Sequence, residues 1–164
     1  MKVPGTVLLA MTLVACHADS ALDESPQLDL DSGLAGAWRC MLADVEETDE
    51  AWVTVAPHPT DERLYSITWR EGTRADAYEA FASSVGDSLV LNVREAGDAS
   101  GWAFLRYDLL RPNLLLLAMA REGVFDGATS SADVRAALEA ALNAGAAFED
   151  FMVCVGARRS PPDS

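Results

Sequence analysis

The stretch RLYSITWR, residues 63–70, alternates large apolar and polar side chains with a period of two. After Leu64, its apolar members are Tyr65, Ile67 and Trp69, and they are separated by serine and threonine. Successive side chains of a β-strand point to opposite faces, so these three would share one face. A strand with one apolar and one polar face is typical of an antiparallel sheet that is wet on one side.

Other short runs of this kind follow one another along the chain, and turn residues such as glycine, proline and aspartate separate them. The predicted strands are 38–42, 52–56, 63–70, 75–82, 88–95, 102–110, 114–119 and 151–157. About eight antiparallel strands can close into an up-and-down barrel that leaves no free edge.

The run Leu114–Met119 differs because it is apolar on both faces, and we expect both faces to be covered. The next segment can supply a cover. Residues 130–133, SSAD, are similar to a capping box, and Val134, Leu138 and Leu142 then recur every four residues. This pattern predicts a helix over about 131–143 that lies on the outside of the 114–119 strand.

The predicted fold class is therefore mainly β, an antiparallel up-and-down barrel of about eight strands with one α-helix before the last strand. We expect the barrel domain to span residues 34–159 and residues 160–164 to form a disordered tail.

The first and last strands of such a barrel are neighbours, and each holds one cysteine, Cys40 and Cys154. If the two cysteines face each other, antiparallel pairing places Trp38 opposite Gly156. Arg158 then lies one diagonal step away on the same face. The register is chemically sensible, because an indole can cover a glycine and a guanidinium can stack on an indole. We expect a disulfide here; two buried free thiols are the alternative.

The motif Gly36–Trp38, Gly-Ala-Trp, resembles the Gly-X-Trp motif of lipocalins. The resemblance implies that an arginine near the end of the last strand, here Arg158, packs across the tryptophan and helps to close the barrel. It also implies a small apolar ligand inside. A lipocalin has its main helix after the last strand, whereas the predicted helix here precedes it. Tyr65, Trp69 and Tyr107 would line such a ligand, or would simply fill the core of an eight-stranded barrel.

The amino-terminal residues predict export. A positively charged start is followed by the apolar run Val7–Ala15, which is too short to span a bilayer, so residues 1–15 are read as a signal peptide. Its end, Leu13-Val14-Ala15-Cys16, resembles the lipobox of bacterial lipoproteins. The resemblance implies cleavage before Cys16, a diacylglycerol on its thiol and acylation of the new amine. His17 in the next position implies the outer membrane, facing the periplasm.

Residues 16–33 are acidic and lack a sustained hydrophobic period. They predict a flexible tether that holds the domain away from the membrane. In the alternative, part of this segment packs as an additional strand through Leu28 and Leu30.

The formal net charge of -14 argues against nucleic acid as a partner, because phosphate binding needs clustered lysine and arginine. An acidic stretch from Asp44 to Glu50 could bind Ca²⁺, but it lacks the EF-hand spacing and is better read as a solvated loop or a contact for a basic protein. Gly86–Leu89 spells the Gly-Asp-Ser-Leu string of a hydrolase family. No histidine follows that could act as base, so we read it as a turn.

The sequence therefore predicts a non-enzymatic lipoprotein with no catalytic residues, no metal site and no cofactor. Two roles remain open. The barrel could bind a small apolar ligand, or the protein could be a structural or protein-interaction lipoprotein of the cell envelope with a filled barrel.

Overall fold

The computed structural model describes residues 18–42, 50–98 and 101–157. Its eight strands form one closed barrel in which each strand pairs antiparallel with the next, and the last pairs with the first. The elements are β1 Gly36–Leu42, β2 Glu50–Pro57, β3 Tyr65–Glu71, β4 Arg74–Val85, β5 Ser88–Glu95, β6 Ala103–Arg111, β7 Leu114–Ala120, α1 Ser131–Asn143 and β8 Phe148–Gly156. This architecture confirms the predicted fold class.

Within the described part of the chain, α1 falls short of the length and apolar character that a bilayer-crossing helix needs.

The barrel closes in the predicted register. Cys40 pairs with Cys154 across β1 and β8 and forms a disulfide with it, and Trp38 stands opposite Gly156. The structure adds a second neighbour of this glycine. A Cβ built on Gly156 would lie 3.3 Å from the Cα and the Cβ of Asn113, in the turn before β7. The turn therefore leaves little room for a side chain at this position.

Inward-facing side chains fill the barrel. The buried members of this interior core come from every strand and include Trp38, Tyr65, Trp69, Tyr107 and Leu117. Their positions alternate along each strand with outward-facing residues, as the period of two predicts.

The helix α1 forms a second core, on the outside of the barrel. Its buried Val134 and Leu138 pack with Val85, Val90 and Phe104, which face outward from β4, β5 and β6. The prediction that this helix covers the outside of β7 is wrong for most of the strand. Of the β7 residues, Ala120 belongs to this second core and the others do not. Phe104 gives α1 a larger apolar surface to bury than the outer side of β7 does.

The odd-numbered strands all begin at one end of the barrel, which we call the Tyr65 end. The even-numbered strands begin at the opposite end, which we call the Trp102 end because Trp102 directly precedes β6. Residues 18–34, the N-terminal strap, run from the Trp102 end along the outside of the barrel and then across the Tyr65 end into β1.

The flexible tether predicted for residues 16–33 is therefore wrong where the structure describes that segment. Ala18, Ala21 and Leu22 are buried against the barrel. Leu28 and Leu30 pack against the interior core, as the alternative expected, although they do so without forming a strand.

Candidate functional site

The interior of the barrel is the first place to look for a ligand site. A cavity of about 60 Å³ remains there, and its lining is apolar. Tyr65, Trp69 and the Cys40–Cys154 disulfide contribute to that lining, whereas Tyr107 is buried elsewhere in the interior core. Ligand pockets typically have volumes of about 300–1,000 Å³. The three aromatic residues thus act here as core rather than as the walls of a ligand-sized site.

The polar atoms of three interior rings, those of Trp38, Tyr65 and Trp69, have protein partners. Trp38 donates its indole N–H to the carbonyl of Leu34 at 2.9 Å, and Trp69 donates to a carboxylate oxygen of Glu71 at 2.8 Å. The Tyr65 hydroxyl accepts a hydrogen bond from the backbone N–H of Asp31 at 2.5 Å. These groups are used to hold the strap and the strand ends in place, so they do not point to a missing ligand.

Burial raises the pKa of each phenol in this region. The pKa values of Tyr65 and Tyr107 lie above the ordinary value of 10.0, mainly because the phenolate form would lose its solvation. Tyr78 shows the same shift for the same reason. The interior thus strongly favours neutral groups, as expected of a core.

The strap closes the Tyr65 end of the barrel. Leu34 belongs to the interior core, and Leu28 and Leu30 pack against it. The contact of Asp31 with the Tyr65 hydroxyl holds the crossing segment at the start of β3. An apolar molecule could enter the barrel from this end only if the strap moved.

A buried polar contact holds the first half of the strap. Asn92 is fully buried on the outer side of β5, and its side-chain oxygen accepts the backbone N–H of Leu22 at 2.8 Å. Its amide nitrogen donates to the carbonyl of Phe81 and to the hydroxyl of Ser83. The next strap residue, Asp23, accepts from Arg135 of α1 at 2.6 Å. Strap, helix and barrel wall are thus joined at one place.

The outer surface of β7, β8, β1 and β2 has a set of apolar side chains that belong to neither core, interrupted by Arg39, which faces outward between Val155 and Trp52. Register places Leu114 beside Val155, and Val153 between Leu116 and Met41. We call this surface the Leu116 face; its members are Met41, Trp52, Leu114, Leu116, Val153 and Val155, all partly exposed. Leu110 is 57 % exposed and lies on β6 where its register with β7 shifts, directly before the Leu116 face in chain order. Adjacent apolar side chains on an outer sheet surface make this face a candidate contact site.

Several residues that the sequence singled out lie outside the described ranges. These are the lipidation candidate Cys16, the arginine Arg158 expected against Trp38, and Asp44 to Asp49 of the acidic loop. Glu50, the last residue of that loop, begins β2, and its carboxylate oxygen Oε1 lies 3.8 Å from the guanidinium nitrogen Nη1 of Arg39. Among residues 18–42, 50–98 and 101–157, no three histidine, cysteine or acidic side chains are grouped closely enough to hold a metal ion.

The fold and its surfaces define a class: a small closed up-and-down barrel with a side-chain-filled interior, a strap over one end and an apolar outer face that neither core covers within residues 18–42, 50–98 and 101–157. The chain matches no protein-family model, and no curated protein or solved structure matches it either.

Proposed function

We propose that this chain is a lipid-anchored lipoprotein of the bacterial outer membrane, facing the periplasm, that contacts another envelope protein through its outer surface. The observation that carries the proposal is the filled interior: about 60 Å³ leaves room for a few water molecules but not for a drug-sized ligand. The lipobox-like sequence Leu13–Cys16 supports the anchor. No catalytic step is part of this role.

The Leu116 face is the contact surface we assign to the partner. Its apolar side chains give the protein something to bury in a complex, which the filled interior does not offer. The formal net charge of -14 favours a partner whose apolar contact surface has a basic rim, since charge complementarity speeds association and suppresses wrong partners.

Native mass spectrometry of protein purified from its own host tests the role of the barrel. We expect a mass that includes acyl groups at the amino terminus and no additional small molecule. A stoichiometric apolar compound that co-purifies with the protein would instead support the ligand-binding role.

Cross-linking in living cells tests the partner surface. Val153→Lys puts a charge in the centre of the Leu116 face, and Thr68→Lys puts the same charge on the exposed outer side of β3. We expect the first variant to lose its cross-linked protein and the second to keep it. Equal cross-linking of both variants would rule out this face as the contact surface.

A further inference from the structure

The strap holds the chain at one defined point of the barrel surface. Ala18 donates its backbone N–H to the carbonyl of Trp102 at 3.0 Å, and Trp102 donates to the carbonyl of Ala18 at 2.8 Å. The side chain of Ala18 is buried. Two reciprocal hydrogen bonds and a buried side chain place residue 18 firmly at the Trp102 end.

The position of Ala18 limits how far the domain can lie from its anchor. Consecutive Cα atoms are about 3.8 Å apart, so the Cα of Cys16 lies within about 8 Å of that of Ala18. A flexible segment of some 17 residues would instead give a mean separation of about 20–25 Å. The strap therefore removes the spacing that a free tether would have provided.

We propose that the Trp102 end of the barrel rests on the surface of a zwitterionic phospholipid bilayer and that the Tyr65 end points away from it. The inference rests on the lipidation of Cys16 that the proposed function includes. It adds an orientation: the lipid-bearing residue and the barrel end to which the strap is fixed must meet the membrane together.

The side chains beside Ala18 fit this position. Trp102 faces outward, is partly exposed, and packs edge-on against Phe81 with 5.4 Å between ring centroids. The guanidinium of Arg94 lies 4.8 Å from the centre of the indole. Tryptophan is enriched at the headgroup level of membranes, where an apolar ring meets a polar layer. The net charge of -14 disfavours anionic lipids, which is why the proposal names a zwitterionic surface.

The orientation can be tested on the mature chain, residues 16–164, with the Cys40–Cys154 disulfide intact, so that the thiol of Cys16 can be coupled to a maleimide lipid. The coupled protein is placed in phosphatidylcholine nanodiscs that contain a headgroup nitroxide lipid, and amide NMR signals are recorded. Gly72 and Gly97 lie in turns at the Trp102 end, whereas Gly86 and Asn113 lie in turns at the Tyr65 end. We expect signal loss at the first pair and retained signals at the second.

A matched control carries a long Gly-Ser spacer between His17 and Ala18, which leaves the anchor and the barrel unchanged. We expect the contrast between the two ends to disappear with the spacer. Equal signal loss at both ends of the unmodified protein would overturn the proposal, whereas a contrast that persists with the spacer would keep the orientation and assign it to Trp102 rather than to the strap. A shift of the Leu22 amide on coupling would also overturn it, because it would show that the strap detaches.

Chemical coupling separates this test from the proposed function. The orientation is measured whether or not the host acylates Cys16, whereas metabolic labelling with a radioactive fatty acid tests acylation alone. Absence of label with a clear contrast in the nanodisc would contradict the lipoprotein assignment but leave the orientation imposed by the strap intact.

Discussion

Tyr65, Tyr78 and Tyr107 are all the tyrosines of the chain, and burial raises the pKa of each. The folded protein favours the neutral phenol, so this contribution to stability is fully present below the ordinary pKa of 10.0. It is lost as the pH rises from that value through the raised pKa values.

We therefore expect the barrel to unfold cooperatively in alkali, with the three phenols ionising as it unfolds. Phenolate absorbance and circular dichroism, followed together through the titration, measure both events. Ionisation of all three tyrosines near pH 10 in a protein that keeps its β-sheet signal would contradict the expectation.

Asn92 is the residue on which the first half of the strap depends. Asn92→Ala leaves the buried N–H of Leu22 without its partner, so we expect the free energy of unfolding to fall by about 1–3 kcal/mol. Hydrogen exchange at Leu22 should accelerate as well, because the strap opens more often. Denaturant unfolding and exchange measure the two effects. Asn143→Ala at the exposed end of α1 is the control, with an expected change within about 0.5 kcal/mol.

At the scale of elements, α1 begins where the sequence predicts. Ser130 is the N-cap, and its hydroxyl oxygen accepts the backbone N–H of Asp133 at 3.2 Å. The Asp133 carboxylate accepts hydrogen bonds from Ser130 and Thr129 in return, and these bonds hold the pKa of Asp133 below its ordinary value. Because the ionised form is favoured, this contribution is present above the ordinary pKa and is lost as the pH falls through the lowered one.

Replacing the cap tests its contribution. We expect Ser130→Ala to lower the free energy of unfolding by about 1 kcal/mol at neutral pH. Ser131→Ala, one residue into the helix, should be neutral or slightly stabilising, because alanine is the better helix former there. Thermal unfolding of both variants at one pH measures the difference, and equal midpoints would count against the cap.

The sequence predicted only part of the strap, through the alternative in which Leu28 and Leu30 pack against the barrel. The burial of Ala18, Ala21 and Leu22 has no helix or strand period that could have predicted it. What holds them are partners far along the chain, above all Asn92 and Tyr65. A buried asparagine within an alternating strand looks like an ordinary outward-facing polar residue until its neighbours are known.

At the scale of the whole molecule, strand number, helix position in the chain, and the register of β1 against β8 all followed from the sequence. Period-two alternation predicted the strands, and the two cysteines predicted how the last strand meets the first. The sequence did not decide whether the interior is filled, because the space inside a barrel depends on how its strands are staggered. The Leu116 face did not follow either, since the apolar run of β7 indicated a covered strand.

The disulfide should stabilise the barrel as a whole by restricting the unfolded chain. Cys40 and Cys154 are 114 residues apart, and cross-linking a loop of that length contributes about 4–5 kcal/mol in the chain-entropy model. We expect Cys40→Ala combined with Cys154→Ala to lower the midpoint of denaturant unfolding and to raise its slope, because the uncross-linked unfolded chain exposes more surface.

Reduction provides the matched measurement on the unaltered chain. Both sulfurs are buried, so a reductant should reach the disulfide only through unfolding. The reduction rate should then rise with denaturant in parallel with the unfolded fraction. Rapid reduction in the absence of denaturant would contradict this expectation, because it would show that the reductant reaches the disulfide in the folded barrel. A double variant as stable as the parent would mean that the β1–β8 strand pairing closes the barrel without help from the covalent bond.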